Sequence, residues 1–330
     1  MPIPETAAAF LAGHVESVRR QSPKKRIVFP EGNDPRVVMA AERLAREGLI
    51  EPVLLGARPA QAAPGVTYID PETSPDAARY AALYYERRRG RVSEAVATRT
   101  ARRPLYFAAL MVAAGDADGT VGGASNTTAE TARAALQAIG PAPGIQTVSG
   151  FFVIALPDRS HGHNGLFLMA DCAIVVDPTA AQLADITIAT AASTRTLLAA
   201  EPVVAMLSFS TKGSARHPLV SKVVEAYKMV RARVPELEVD GELQADAALV
   251  ASVGRAKSPD SAVPGRANTL IYPNLASANI GYKLTEWLGG GAAIGPLLQG
   301  LAKPANDLSR ACSPDAVYSV AVITSAQCAQ

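Results

Sequence analysis

Cysteine is scarce in this chain, with three in 330 residues. Cys172, Cys312 and Cys328 show no CxxC spacing, and three thiols cannot all pair. That excludes a disulfide scaffold, argues against a zinc cluster and fits a reducing compartment, so a cytoplasmic location is expected. No stretch approaches the roughly eighteen consecutive apolar residues of a membrane span. The first twenty residues carry Glu5, His14 and Glu16 and no apolar core of signal length, so no secretory signal is expected. Net charge is also small, at a formal +2, which gives no reason to expect a nucleic-acid partner. Internal repeats and low-complexity segments are missing, and no GxxxxGK(S/T) phosphate loop occurs. Gly289–Gly291 precedes a strand-like run instead of following one, the wrong place for a dinucleotide fingerprint.

What is present points to a globular α/β protein. Apolar residues make up 48% of a chain too long for one ordinary core, so two domains are expected. Ala7–Arg20 has helical spacing. Lys24–Pro30 reads as a basic lead-in and a first strand. Asn33 or Asp34 then caps a helix with Pro35 at its first position, running to about Glu47. Ile50–Leu55 is a second strand, and this strand–helix–strand order predicts a mostly parallel sheet covered by helices. Ser74–Arg89, Val92–Arg102 and Leu105–Ala114 read as helices, and the basic run Arg87–Arg91 as a solvated helix face. A turn at Gly115–Gly119 leads to a short strand, Thr120–Val121.

Beyond it, Gly122-Gly123-Ala124-Ser125-Asn126-Thr127-Thr128 enters a helix that reaches about Ile139. Exposed helix N-terminal amides form an anion site, to which Ser125, Thr127 and Thr128 add hydroxyls, with Arg133 one to two turns inside. An ordinary N-cap explains the same residues. Gln146–Leu156 and Leu166–Val176 are strand-like. His161 and His163 between them lack the further ligands of a metal site and read as a loop or hairpin turn. Thr179–Ala199 is a long helix and Val203–Phe209 a strand. In the polar loop that follows, Lys212 reaches either a phosphate or a surface acid. The acids of Asp240–Asp246 read as the start of a helix in preference to a metal site. After the strand Thr269–Tyr272, a helix carries Tyr282 and Lys283 to Leu288. The apolar run Ala292–Leu301 enters Gly300–Arg310, where Pro304 argues for a polar loop and against a central strand. There Ser309 and Arg310 offer a hydroxyl and a five-donor cation suited to a phosphate or an oxyanion. Ser313 and Pro314 start the last helix, and Asp315 has a sufficient structural reason in the helix dipole.

These residues resemble the phosphate acetyltransferase family. The resemblance rests on F-P-E-G at 29–32, G-D-A-D-G at 115–119, T-T-A-E-T-A-R at 127–133 and F-S-T-K-G-S-A at 209–215. D-G-E-L-Q-A-D-A-A at 240–248, N-I-G-Y-K at 279–283 and K-P-A-N-D-L-S-R at 303–310 extend it from about Lys25 onward. It implies two three-layer α/β domains, 1–145 with 302–330 and 146–301, with an interdomain cleft and a fold related to the decarboxylating dehydrogenases. It also implies a homodimer that converts acetyl-CoA and phosphate to acetyl phosphate and CoA, reversibly and by direct attack. CoA and acetyl-CoA would be substrates, with no metal and no permanently bound cofactor. Ser309, Arg310 and Arg133 match the family's catalytic residues. Arg87 or Arg88 matches an arginine after a Tyr-Glu pair, Ser125, Thr127 and Thr128 match its phosphate loop, and Tyr282 and Lys283 match a substrate-binding face.

Two departures stand out. Asn126 replaces a histidine. Ala316 stands where the family has the acid proposed to take the thiol proton, and the neighbouring Asp315 is turned away by roughly a hundred degrees of helix. Loss of a positioned base costs about 10²–10⁴-fold, less where arginines help a thiol ionise. Besides an active acetyltransferase, the sequence therefore leaves open a phosphate butyryltransferase or a CoA-binding homologue with weakened catalysis. A nicotinamide-dependent decarboxylating dehydrogenase rests on fold kinship alone.

Overall fold

The computed structural model describes residues 3–328. They divide into two compact units, a framing unit of 11–144 with 295–328 and an insert unit of 3–10 with 145–294. The chain begins with α1 (Glu5–Arg20), β1 (Arg26–Phe29), α2 (Pro35–Arg46), β2 (Glu51–Leu55) and β3 (Thr67–Ile69). Next come α3 (Ala77–Arg87), α4 (Glu94–Ala101), α5 (Pro104–Ala114), β4 (Gly119–Gly122) and α6 (Thr128–Ala138). The insert unit adds β5 (Ser149–Ala155), β6 (Leu166–Ala170), α7 (Ala180–Leu198), β7 (Val203–Leu207), α8 (Pro218–Arg233) and β8 (Glu238–Leu243). It continues with α9 (Ala245–Leu249), α10 (Ala251–Lys257), β9 (Thr269–Ile271) and α11 (Leu275–Leu288). β10 (Ala292–Gln299) leads back to β11 (Ala305–Asp307) and α12 (Pro314–Gln327).

The framing unit is a parallel five-stranded sheet in the order β11-β4-β1-β2-β3. Its interior strands are buried along all but their first residues in β1 and β2 because helices cover both faces. α2 and α12 pack together against one face, and α3 to α6 gather on the other. There Tyr80 meets Phe107 edge-on, with ring centroids 4.9 Å apart. Each such buried aromatic contributes about 1.5–3 kcal/mol by area alone. Caps set the helix starts. Asp34 accepts from the Arg36 amide ahead of Pro35 in α2, and Thr127 and Glu130 form a reciprocal capping box on α6. The insert unit is a six-stranded sheet, β10-β5-β6-β9-β7-β8, with β5 and β6 an antiparallel hairpin and β6, β9, β7 and β8 mutually parallel. His161 and His163 lie in the turn of that hairpin.

Three stretches differ from their sequence reading. Gly300–Arg310 is not all loop. Residues 305–307 form the edge strand β11, in register with Thr120–Gly122. Pro304 falls just before it, where no ladder donor is needed, and its carbonyl accepts from Thr120 N at 3.2 Å. The acids of 240–246 do not all start a helix, since Asp240 and Glu242 are buried in β8. Leu166–Val176 stops being a strand at Ala170. The buried Asp171 carboxylate there draws in the amides of Gly150, Ala173, Ile174 and Val175, which bends the chain off the sheet.

Candidate active site

The framing sheet reverses its strand order at β1, which has β2 on one side and β4 on the other. In open parallel sheets, ligands bind outside the carboxyl ends of the strands at such a point. Three segments emerge there in this chain: 30–34 after β1, 123–127 after β4 and 308–312 after β11.

The loop after β4 has its amides filled from within. The buried Glu31 carboxylate accepts from Gly123 N (2.9 Å), Ala124 N (2.8 Å), Ser125 N (2.9 Å) and Asn126 N (3.1 Å). Asn126 Nδ2 adds a bond of 2.6 Å, and Ser125 Oγ one of 3.3 Å. Thr127 is closed in the same way, its amide and hydroxyl both donating to Glu130 Oε2 at 2.9 and 2.8 Å. The Thr128 and Ala129 amides carry no hydrogen bond among the described residues, while the Thr128 side chain faces the Asp307 carboxyl. The open anion-facing part of the loop is therefore the very first turn of α6, narrower than the sequence suggested.

Asp307 lies beneath this turn. Its carboxyl is fully buried, neither oxygen has a hydrogen-bond partner among the described residues, and Thr128 and Thr131 are its polar neighbours. Burial pushes it up to about 6, with Glu31 adding repulsion. Gly123, at φ +107°, crosses directly above. A Cβ there would meet Asp307 Oδ1 at 2.2 Å and Leu308 N at 2.8 Å, so only glycine fits.

After β11 the chain turns tightly. The Ser309 carbonyl accepts from Cys312 N at 2.9 Å and the Ser309 hydroxyl from Ala311 N at 3.2 Å. The hydroxyl proton stays free to donate outward. The exposed Arg310 guanidinium has no hydrogen bond or ion pair among the described residues. Arg133, exposed on α6, has only the field of Glu130 beside it.

Other candidates fall elsewhere. Arg87 donates to Ile139 O at 2.7 Å and closes the C-terminal end of α6, away from its open first turn. Arg88 is turned toward Tyr84, and its buried Nε has no partner among the described residues. Tyr84 and Tyr106 both donate to Gln137, one turn along α6 from Arg133. Tyr282 and Lys283 belong to the insert unit. Tyr282 is a core residue stacked on Phe152 at 4.2 Å, burial raising its phenol to about 12, and the exposed Lys283 donates to Asn279 Oδ1 at 2.9 Å. Asp315 is exposed and pairs with Arg43 at 3.0 Å.

Two residues that the sequence reading passed over matter here. Glu31 sat in a quoted motif, F-P-E-G, without a role. Arg103 lies at the N-cap of α5, stacks near the Tyr106 ring at 5.3 Å and shares the field of Glu130 with Arg133. It also lines a cavity of about 520 Å³ in the framing unit, together with Glu31, Asp34, Arg102, Ser125 and Asn126.

Known proteins resemble this chain along nearly its whole length. The family described as Phosphate acetyl/butaryl transferase matches residues 11–325. The chain belongs to that family. A phosphate acetyltransferase of Paracoccus denitrificans is 48% identical over 305 residues, covering 92% of this chain and 95% of that protein. The crystal structure of a phosphotransacetylase from Streptococcus pyogenes superposes with a TM-score of 0.92 at 43% identity and 98% coverage of both chains. A Salmonella typhimurium structure named for a 4-hydroxythreonine-4-phosphate dehydrogenase shares the fold alone, at 13% identity and a TM-score of 0.52. The two-unit α/β architecture and its kinship with a dehydrogenase-like fold thus follow the expectation from sequence.

Proposed function

We propose that this chain transfers an acetyl group reversibly between CoA and inorganic phosphate. The observation that carries the reading is the set of uncommitted groups around the ends of β4 and β11. They are the Arg133 and Arg310 guanidiniums, the Ser309 hydroxyl and the open first turn of α6. Guanidiniums hold a dianionic phosphate in a fixed geometry, and a helix N-terminus favours it further. A phosphate oxygen attacks the thioester carbonyl of acetyl-CoA, the C–S bond breaks, and CoA leaves as a thiolate that takes up the phosphate proton. Ser309 and Arg310 stabilise the negative oxygen of the tetrahedral transition state. Arg88 and Arg103 are proposed to hold the phosphates of CoA. Tyr282 and Lys283 rest on the N-I-G-Y-K match alone.

Ala316 favours a second reading, a CoA-binding protein with slowed chemistry. Ala316 sits in the first turn of α12, where its amide donates to the Ser313 cap, and offers no proton acceptor. Thiol release from acetyl-CoA at high enzyme concentration, with acetyl phosphate identified as the second product, separates the two. Phosphate-dependent release supports the transferase, and CoA binding without turnover supports the second reading. Rates with acetyl-, propionyl- and butyryl-CoA define the acyl preference.

A homodimer is supported by α11, whose Ile280, Leu284, Trp287 and Leu288 are 52–82% exposed on one helical stripe. Light scattering on Trp287→Glu would show a monomer. An unchanged dimer would remove that face from consideration. The described residues contain no helix long and apolar enough to cross a membrane, and the three cysteines are free, which supports a reducing, cytoplasmic setting.

A further inference from the structure

Arg36 touches all three segments that emerge at the strand-order reversal. Its Nη2 donates to Asp34 Oδ2 at 2.7 Å and to Ala124 O at 2.7 Å. Its Nη1 donates to Arg310 O at 2.7 Å and to Cys312 O at 3.2 Å. One planar fork thus reads a carbonyl of the loop after β4 and two carbonyls of the turn after β11, while Asp34 fixes its plane. The side chain is 28% exposed and the Asp34 carboxyl 12%. The contact with Asp34 holds that carboxyl below its usual range and raises the guanidinium further.

We infer that Arg36 is a positioning residue for acetyl transfer. It sets the Ser309–Arg310 turn against the Ser125–Thr128 loop through their backbones, without touching substrate. This rests on the transferase reading above. The reasoning is geometric. Arg310 is useful only if its guanidinium and the Ser309 hydroxyl meet the substrate bound at the first turn of α6, and those groups come from segments separated by nearly two hundred residues. A displacement of about 1 Å at a reacting centre can cost about 10²-fold in rate. No hydrogen bond between the two loops replaces the fork among the described residues, although Gly123 and Leu308 touch. Lysine cannot substitute, since a point charge does not bridge carbonyls on both sides of a plane. α2 tolerates truncation here, because Asp34 caps it through the Arg36 amide, which every replacement but proline keeps.

The test compares Arg36→Ala and Arg36→Lys with Arg43→Met, an arginine two turns along α2 that braces α12 through Tyr318 and Asp315 and bonds none of the three loop segments. Arg36→Ala should lower kcat about 10²-fold while the KM values for phosphate and acetyl-CoA move less than about threefold, and added methylguanidine should restore at least about tenfold. Arg36→Lys should stay low, and Arg43→Met should keep its kcat. Hydrogen exchange, which needs no activity, should rise at the Ala311 and Cys312 amides in Arg36→Ala and stay unchanged in Arg43→Met. A kcat for Arg36→Ala within threefold of the parent, or a loss that methylguanidine does not reverse, overturns the inference. Unchanged exchange at 311–312 does so too. A parent protein without phosphate-dependent thiol release sinks the transferase reading instead, and the exchange result then decides the loop-tying role by itself.

Discussion

Two loops in this molecule look alike and behave differently. Gly122–Thr128 in the framing unit and Ser210–Ala215 in the insert unit are both short, polar and glycine-containing, and both follow a strand. Each is closed by a buried glutamate, Glu31 from the segment just after β1 and Glu242 from β8. Glu31 takes four consecutive amides of the first, whereas Glu242 takes Gly213 N at 2.7 Å and the Ser210 hydroxyl at 2.8 Å in the second. The difference lies in what remains. In the second loop Lys212 is tied to the buried Asp240 and lies 5.2 Å from the Tyr227 ring, so its charge is spent inside the unit. In the first, the helix beyond the carboxylate keeps its opening amides, and Arg133 stays unpaired. A glycine-rich anion loop is therefore no sign of an anion site until its internal carboxylate has been found.

The largest effect expected from this comparison is on stability. Glu31→Ala leaves two buried and two partly buried amides without their acceptor, each buried one able to cost about 1–3 kcal/mol, so a loss of about 4 kcal/mol is expected in urea unfolding. Glu242→Ala strands fewer groups and should cost about 2 kcal/mol. Equal losses would mean that the two carboxylates do the same job and that the count of amides does not matter.

A smaller effect of opposite sign is expected at Asp307. Its carboxyl is raised from 3.8 to about 6 by burial, so the native protein keeps its proton while the unfolded chain has already lost it. Stability from this group therefore falls as pH rises from about 4 to about 6 and stays low above that, by about 3 kcal/mol. Asp307→Asn should leave thermal stability unchanged near pH 4 and raise it by that amount at pH 7–8. A variant no more stable than the parent at pH 8 would show that Asp307 has found partners after all. The insert unit's Asp171 is also raised by burial, but four amides hold it, so Asp171→Asn should destabilise at neutral pH.

The smallest effect concerns the missing base. With Ala316 in place, the rate of CoA acetylation by acetyl phosphate should climb about tenfold per pH unit toward the thiol pKa near 8.5. Ala316→Asp should raise the rate about tenfold at pH 7, or about 1.4 kcal/mol in barrier, and flatten the profile. An unchanged profile would show that the gap lies elsewhere.

Local signals in the sequence marked much of the fold. Pro35 after Asp34, the Ser and Thr N-cap candidates of 125–128 and Ser313-Pro314 marked helix starts that stand within a residue or two of the observed ones, because caps act within one turn. The parallel sheets followed from apolar runs separated by helices. What escaped was long-range or too short for a pattern. Glu31 lies 92 residues from the first amide it fills, and nothing near it signals that partner. β11 has three residues, too few for alternation, and its carboxylate is buried with no partner. Asp240 and Glu242 read as the start of a helix because buried carboxylates in a strand break the rule that patterning relies on. At the candidate site, motifs placed Ser309, Arg310 and Arg133 on one unit, but only coordinates separated Arg87, spent on a helix end, from Arg88.

The most direct test of this contrast is the phosphate dependence of thiol release in Arg310→Ala and Lys212→Ala, measured side by side. The account predicts that Arg310→Ala loses about 10²-fold or more in kcat/KM for phosphate while Lys212→Ala stays within about threefold. Loss of phosphate dependence in Lys212→Ala, with Arg310→Ala unaffected, would contradict it.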